Sequence, residues 1–198
     1  HDALPIFIMA GSGGVAIRFH ETDVRSMGRT ARGVRGLALG RDERAVGMVV
    51  VKRDDELAAL LSVTENGYGK RTPLQEYRVQ KRGGKGLITI KCSRRNGALL
   101  GVRDVYPGEE LMVITKRGIM IRFALDEVSL QSRNTQGVRI INLNDEDKVA
   151  SIAKVPAEAE ADATGDATGE TGPTGETGPT GETGPTGDAG ADATTDRT

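Results

Sequence analysis

An all-β fold of propeller-like blades follows from three features of this chain. The first is a repeat: Gly33, Gly86 and Gly137 stand 53 and 51 positions apart, and an arginine lies fifteen residues before each, at Arg18, Arg71 and Arg122. Two markers sharing one spacing in three copies define a unit of roughly fifty residues, the size of a propeller blade. The second is the texture of each unit, short apolar runs separated by turn residues at hairpin distance. The third is a lack of sustained helical periodicity in residues 1–155, beyond a turn or so near 54–61.

Each element can be taken in order. Ile6-Phe7-Ile8-Met9 reads as a strand, Gly11-Ser12-Gly13-Gly14 as the turn after it, and Val15-Ala16-Ile17-Arg18-Phe19 as the returning strand. The second copy is Leu60–Thr64, the turn Glu65-Asn66-Gly67, and Tyr68–Thr72, where Asn-Gly is a strong hairpin signal. The third is Leu111–Thr115, Lys116-Arg117-Gly118 and Ile119–Phe123. A polar connection and a basic turn follow each hairpin, then a strand at Val34–Leu39, Leu87–Lys91 or Val138–Leu143. A fourth apolar run closes each unit, at Val46–Val51, Ala98–Val105 or Val149–Val155. Four antiparallel strands per unit make a blade. The expected blades are 4–53, 54–107 and 108–155. A closed propeller usually needs four or more, and the chain begins at His1 rather than Met, so further blades are expected upstream.

Charge divides the chain in two. Residues 1–155 carry 26 Lys and Arg against 18 Asp and Glu, whereas 156–198 carry one Arg against ten acids. A basic body with an acidic tail points to a polyanionic partner, for which the tail can compete. The tail has no Ile, Leu, Val, Met, Phe or Tyr, so it cannot build a core and is expected to be disordered. Its glycine at every third position between Gly169 and Gly190 resembles collagen only superficially, because so short a run needs trimerisation to order.

The body's positive charge gathers in the basic turns. The most concentrated is Gln80-Lys81-Arg82-Gly83-Gly84-Lys85-Gly86, with related turns at Met27–Gly33 and Gln131–Gly137. Glycine lets a partner approach the backbone closely, and flanking cations reach phosphates. With three Phe, three Tyr and no Trp there is little to stack single-stranded bases, so duplex is the better match.

Other chemistry finds no support in the residues. Cys92 is the only cysteine, which excludes a disulfide framework and a cysteine-rich zinc site. In Gly69-Lys70-Arg71 the lysine is followed by Arg rather than the Ser or Thr of a phosphate-binding loop. Asp54-Asp55-Glu56 and Asp145-Glu146-Asp147 lack a metal-loop template and read as solvated turns. His20 is the only internal histidine, and no catalytic constellation is apparent, so no catalytic or metal site is assigned. No apolar run is long enough to span a bilayer, and a cytoplasmic protein without a membrane partner is expected.

The hairpin Glu65-Asn66-Gly67-Tyr68-Gly69-Lys70-Arg71-Thr72, together with Val24–Arg29, Gly33-Val34-Arg35-Gly36 and Arg133–Val138, resembles the C-terminal domain of the A subunit of DNA gyrase. The resemblance covers essentially all of 1–155, with all three blades in order. It implies a six-bladed β-pinwheel, of which these are the last three blades, whose outer rim binds and wraps duplex DNA. Gln80–Gly86 fits the Gln-(Arg/Lys)-Arg-Gly-Gly-(Arg/Lys)-Gly box that the resemblance implies for a first blade, yet here it stands in a later one. The resemblance further implies a heterotetramer of two A and two B subunits, chromosome-associated in a bacterial cytoplasm. ATP and Mg2+ would serve other domains of that enzyme, in ATP-dependent negative supercoiling. The candidate DNA contacts are Arg18, Arg29, Arg32, Arg35, Lys70, Arg71, Arg78, Lys81, Arg82, Gly83, Gly84, Lys85, Gly86, Arg122, Arg133 and Arg139. Two alternatives stand beside this reading. They are the corresponding domain of topoisomerase IV, whose blades are less regular, and a propeller-like scaffold for protein partners.

Overall fold

Hairpins come first because the sequence closes them locally. In the computed structural model, which describes residues 5–52, 55–144 and 146–156, β1 (Ile6–Gly11) pairs antiparallel with β2 (Val15–His20). In the same way β4 (Ala59–Thr64) pairs with β5 (Tyr68–Pro73), and β8 (Glu110–Thr115) with β9 (Met120–Ala124). The third strand of each sheet is the closing apolar run: β3 (Ala45–Val51) beside β1, β7 (Leu99–Val105) beside β4, and β11 (Val149–Val155) beside β8. All three additions carry a register shift at the hairpin end, a bulge that adds twist. The acidic stretch, with the disorder expected of it, lies outside the described residues from 157 onward.

The fourth strand corrects the simple picture of four consecutive strands per blade. After the basic turns only β6 (Leu87–Ile88) and β10 (Val138–Arg139) form, each two residues long. Neither joins its own hairpin. β6 pairs with β2 and β10 with β5, so each repeat hands its fourth strand to the sheet before it. The sheets are therefore ordered β3-β1-β2-β6, β7-β4-β5-β10 and β11-β8-β9. The expected strand at 34–39 does not form; within it Ala38 N–H donates instead to the Gly84 carbonyl at 2.9 Å.

Packing between successive sheets explains why β4 reads as an unbroken apolar run. All six of its residues are buried. Leu60 joins Ile6, Ile8, Val49, Leu99 and Val102 on one side, while Leu61 and Val63 join Val105, Leu111, Val113 and Val149 on the other. A strand buried on both faces loses the alternation that marks a half-exposed one. The donated segments are anchored in these interfaces as well. Thr89, just after β6, lies 2.5 Å from the Tyr77 hydroxyl and 3.2 Å from that of Ser62. Burial pushes the Tyr77 phenol up to about 12, so it stays neutral and can donate within this network.

Candidate nucleic-acid interface

The basic turns sit at the junctions between sheets, and strand donation puts them there. Each turn must carry the chain from its own hairpin to the neighbouring sheet. The glycine ending the turn makes the crossing possible: a Cβ on Gly86 would stand 2.6 Å from the Ala16 carbonyl oxygen, and one on Gly137 would stand 2.8 Å from that of Gly69. Only a residue without a side chain permits backbones that close.

The sequence-selected cations then separate into two groups. The first group points inward and ties the junctions. Arg18 donates to the carbonyls of Leu74 (3.0 Å) and Tyr77 (3.2 Å), at the short 3-10 turn of the next repeat. Arg71 repeats this one unit later, donating to the Val128 carbonyl at 2.8 Å and pairing with Asp126 at 3.0 Å. Lys70 is fully buried, its ammonium 2.5 and 2.6 Å from the carbonyls of Ser132 and Arg133. Desolvation lowers its pKa to about 8. Arg82 donates to the carbonyls of Asp23 (2.7 Å) and Arg35 (3.1 Å), joining the second basic turn to the first. Arg133 donates to the Ile88 carbonyl and lies beside Glu76. Arg122 stands apart from this group: it is exposed and pairs with Glu110 on its own hairpin. The glycines serve the same packing, since Gly83 N–H donates to the Gly36 carbonyl at 2.6 Å and the Gly84 carbonyl accepts from Ala38 at 2.9 Å.

The second group faces solvent. Arg29, Arg32, Arg35, Arg78, Lys81, Lys85 and Arg139 are all exposed. Among the described residues none of these seven has a carboxylate within ion-pairing reach. Their charge is thus left for an external anion. The structure adds cations that sequence reasoning passed over. Lys91, Arg94 and Arg95 are exposed on a loop clamped by buried Asn96. The Asn96 amide donates to the carbonyls of Lys91 (2.9 Å) and Gln136 (3.1 Å), while its oxygen accepts from Ser93 N–H at 2.7 Å. Arg95 and Arg139 both donate to the Tyr68 hydroxyl at 3.1 Å, and their guanidinium carbons lie 4.9 and 5.6 Å from its ring. Those two hydrogen bonds, Arg139's first, hold the Tyr68 phenol below its ordinary pKa. The Lys91-x-x-Arg94-Arg95 spacing after a donated strand is the signal that would have found this loop.

Bladed sheets that exchange strands, with rigidly held turns and outward cations, define a propeller-type domain suited to a polyanion. Comparison with known proteins gives the family. The model of the "DNA gyrase C-terminal domain, beta-propeller" matches residues 6–52, 58–103 and 109–156, and the chain belongs to this family. It is 47% identical over 143 residues to the A subunit of DNA gyrase from Haloquadratum walsbyi, covering 72% of this chain and 17% of that one. It is 41% identical over 154 residues to the A subunit of DNA gyrase from Pseudomonas aeruginosa, covering 78% of this chain and 16% of that one. The chain thus spans about one sixth of the length of these relatives. A solved DNA gyrase A C-terminal domain matches with a TM-score of 0.70 at 28% identity, over 77% of this chain and 51% of that one. The C-terminal domain of DNA topoisomerase IV shares the fold, with a TM-score of 0.72 at 19% identity, over 79% of this chain and 48% of that one.

Proposed function

We propose that this domain binds duplex DNA without reading its sequence and curves it along successive basic turns, as part of the A subunit of a DNA gyrase. The observation that carries the reading is the division of labour among the cations. Arg18, Arg71, Lys70 and Arg82 fix the turns, and Arg29, Arg32, Arg35, Arg78, Lys81, Lys85 and Arg139 face outward from them. Phosphate contacts position a duplex without specifying bases. Bending 20–30 bp by 40–90° costs on the order of 1–6 kcal/mol, so a rigid series of anchored turns suits the task better than mobile lysines on loops.

In this reading the domain acts within a heterotetramer of two A and two B subunits in the cytoplasm, where the curved duplex supports ATP-dependent negative supercoiling. ATP and Mg2+ belong to other parts of that enzyme. No helix here is long and apolar enough to cross a membrane.

The test is a salt titration of duplex affinity. If the seven outward cations each neutralise a phosphate, log K falls against log[salt] with a slope of about −6. Scrambling the duplex sequence leaves the affinity unchanged. An affinity flat in salt refutes the proposal and favours a scaffold for protein partners.

A further inference from the structure

The second sheet departs from the repeat pattern at three places, and the three side chains meet at one point. We infer that Arg95 and Arg139, oriented by the Tyr68 hydroxyl, form a seat for one phosphodiester of a bound duplex. This rests on the proposal that the domain binds duplex DNA, and it gives that duplex a fixed anchor.

The repeat spacing identifies the departures. On the first sheet the donated strand sets Ile88 opposite Val15, an apolar pair. At the same place on the second sheet Arg139 stands opposite Tyr68. The loop leading into the closing strand changes as well. In the first repeat it carries Asp42 and Glu43, and Glu43 accepts from Gly40 N–H at 2.8 Å. In the second repeat the same positions hold Arg95 and Asn96, and Asn96 accepts from Ser93 N–H at 2.7 Å. The third repeat has acids there again, Glu146 and Asp147. The second loop thus keeps its cap, while a cation and a neutral amide stand in place of two carboxylates.

The fold holds the two guanidiniums side by side. Both donate to the Tyr68 hydroxyl at 3.1 Å. Their backbones are fixed, since Arg139 lies in β10 and the Asn66 amide of the hairpin turn donates to the Arg94 and Arg95 carbonyls at 3.4 and 3.1 Å. Among the described residues neither arginine has a carboxylate within ion-pairing reach. Glu65, in the same hairpin turn, is already taken by Lys148 at 3.2 Å and Arg44 at 3.8 Å. Like charges gathered on one neutral hydroxyl repel, so the arrangement gains most from an anion between them.

The donors left over suit a phosphodiester. Among the described residues the Arg95 guanidinium donates only through Nε, which leaves both terminal nitrogens for a ligand. A planar fork matches two phosphate oxygens at once, as an ammonium cannot. Tyr68, 3% exposed, is a positioning residue: it sets the forks, and the guanidiniums touch the ligand. Lys91 and Arg94, exposed on the same loop, carry the positive charge of Lys81 and Lys85 onward to this point.

The experiment measures duplex affinity against salt for the full chain beside four variants, with folding checked by circular dichroism. Arg95→Lys keeps the charge and loses the fork; Tyr68→Phe keeps the ring and loses the hydroxyl. Both are expected to bind about tenfold more weakly, with salt plots parallel to the parent's, because a charge-assisted hydrogen bond is lost and no charge is. Lys85→Gln, at a lone exposed cation, is expected instead to flatten the slope by about 1. Tyr106→Phe, which deletes a hydroxyl bound to Asp55, keeps the parent's affinity. The three tyrosines, labelled at Cζ, also report directly by NMR: saturating duplex is expected to shift the Tyr68 signal and leave those of Tyr77 and Tyr106 in place. Parent-like affinity in Arg95→Lys or in a folded Tyr68→Phe, or an unmoved Tyr68 signal, overturns the seat while salt-sensitive binding by the parent leaves the DNA proposal standing. A parent that binds no duplex overturns both.

Discussion

Lys70 gives a sharp test of how the junctions are held. Its amine meets two backbone carbonyls, Ser132 and Arg133, at 2.5 and 2.6 Å. A neutral amine has two hydrogens, so both are satisfied. An ammonium has a third, and burial strips its water; Glu76 favours the charged form, which Arg133 opposes more weakly, and neither outweighs the loss of solvent. The pKa accordingly falls from 10.5 to about 8, with desolvation as the largest cause. Because the folded value lies below the unfolded one, both states are protonated beneath about pH 8 and contribute no slope. Between 8 and 10.5 the unfolded chain binds the extra proton, so stability rises with pH across that window. A shift of this size is worth roughly 3 kcal/mol at about 1.36 kcal/mol per pH unit. Lys70→Met removes the titration while keeping length and packing. The assay is urea unfolding, followed by circular dichroism, of parent and variant from neutral pH to about pH 10. The difference in unfolding free energy should grow toward the parent by roughly 3 kcal/mol. Parallel curves would mean that Lys70 reaches solvent and keeps an ordinary pKa.

Two further outcomes follow from the division among the cations. Replacing Lys81 and Lys85 with alanine should leave the stability within about 0.5 kcal/mol of the parent and lower the DNA salt slope by about 2. Arg82→Ala should cost about 1.5 kcal/mol of stability by leaving the Asp23 and Arg35 carbonyls without their charged donor, and equal melting of the two mutants would contradict this. For the tyrosines, an alkaline absorbance titration should resolve Tyr68 below 10.0, with Tyr77 and Tyr106 near about 12. Arg139→Leu should raise the first step, and a single transition for all three phenols would refute the arginine–phenol geometry.

The hairpins were legible because their signals are local. Asn66-Gly67 between two apolar runs dictates a turn whatever surrounds it, and β4 with β5 follows. The destination of the donated strands was not legible. A strand pattern says which residues share a face, and it carries no mark of which edge will receive them. Leu87–Ile88 looks the same whether it joins its own hairpin or the preceding one. Only the Gly86 approach to Ala16 decides, and that is a three-dimensional clash avoided rather than a sequence motif.

The marker arginines make the same point about function. The fifteen-residue spacing that exposed the repeat also drew Arg18, Arg71 and Arg122 into the candidate DNA contacts. In the structure the first two lie where a short 3-10 turn from the next repeat presents carbonyls, those of Leu74 and Tyr77 to Arg18 and that of Val128 to Arg71. A guanidinium with five donors on a fixed fork suits such a cluster of acceptors better than a lysine does. Periodicity in these positions therefore reports how sheets are joined. The outward cations proposed to meet DNA vary in number and place from turn to turn: Arg29 and Arg32 on the first with Arg35 just after it, Arg78, Lys81 and Lys85 at the second, and Arg139 after the third. Phosphates are evenly spaced and identical, so a surface that only needs net positive charge can tolerate that variation. A junction that must seat a strand to within a few tenths of an ångström cannot, and so the most regular basic residues of this domain are its structural ones.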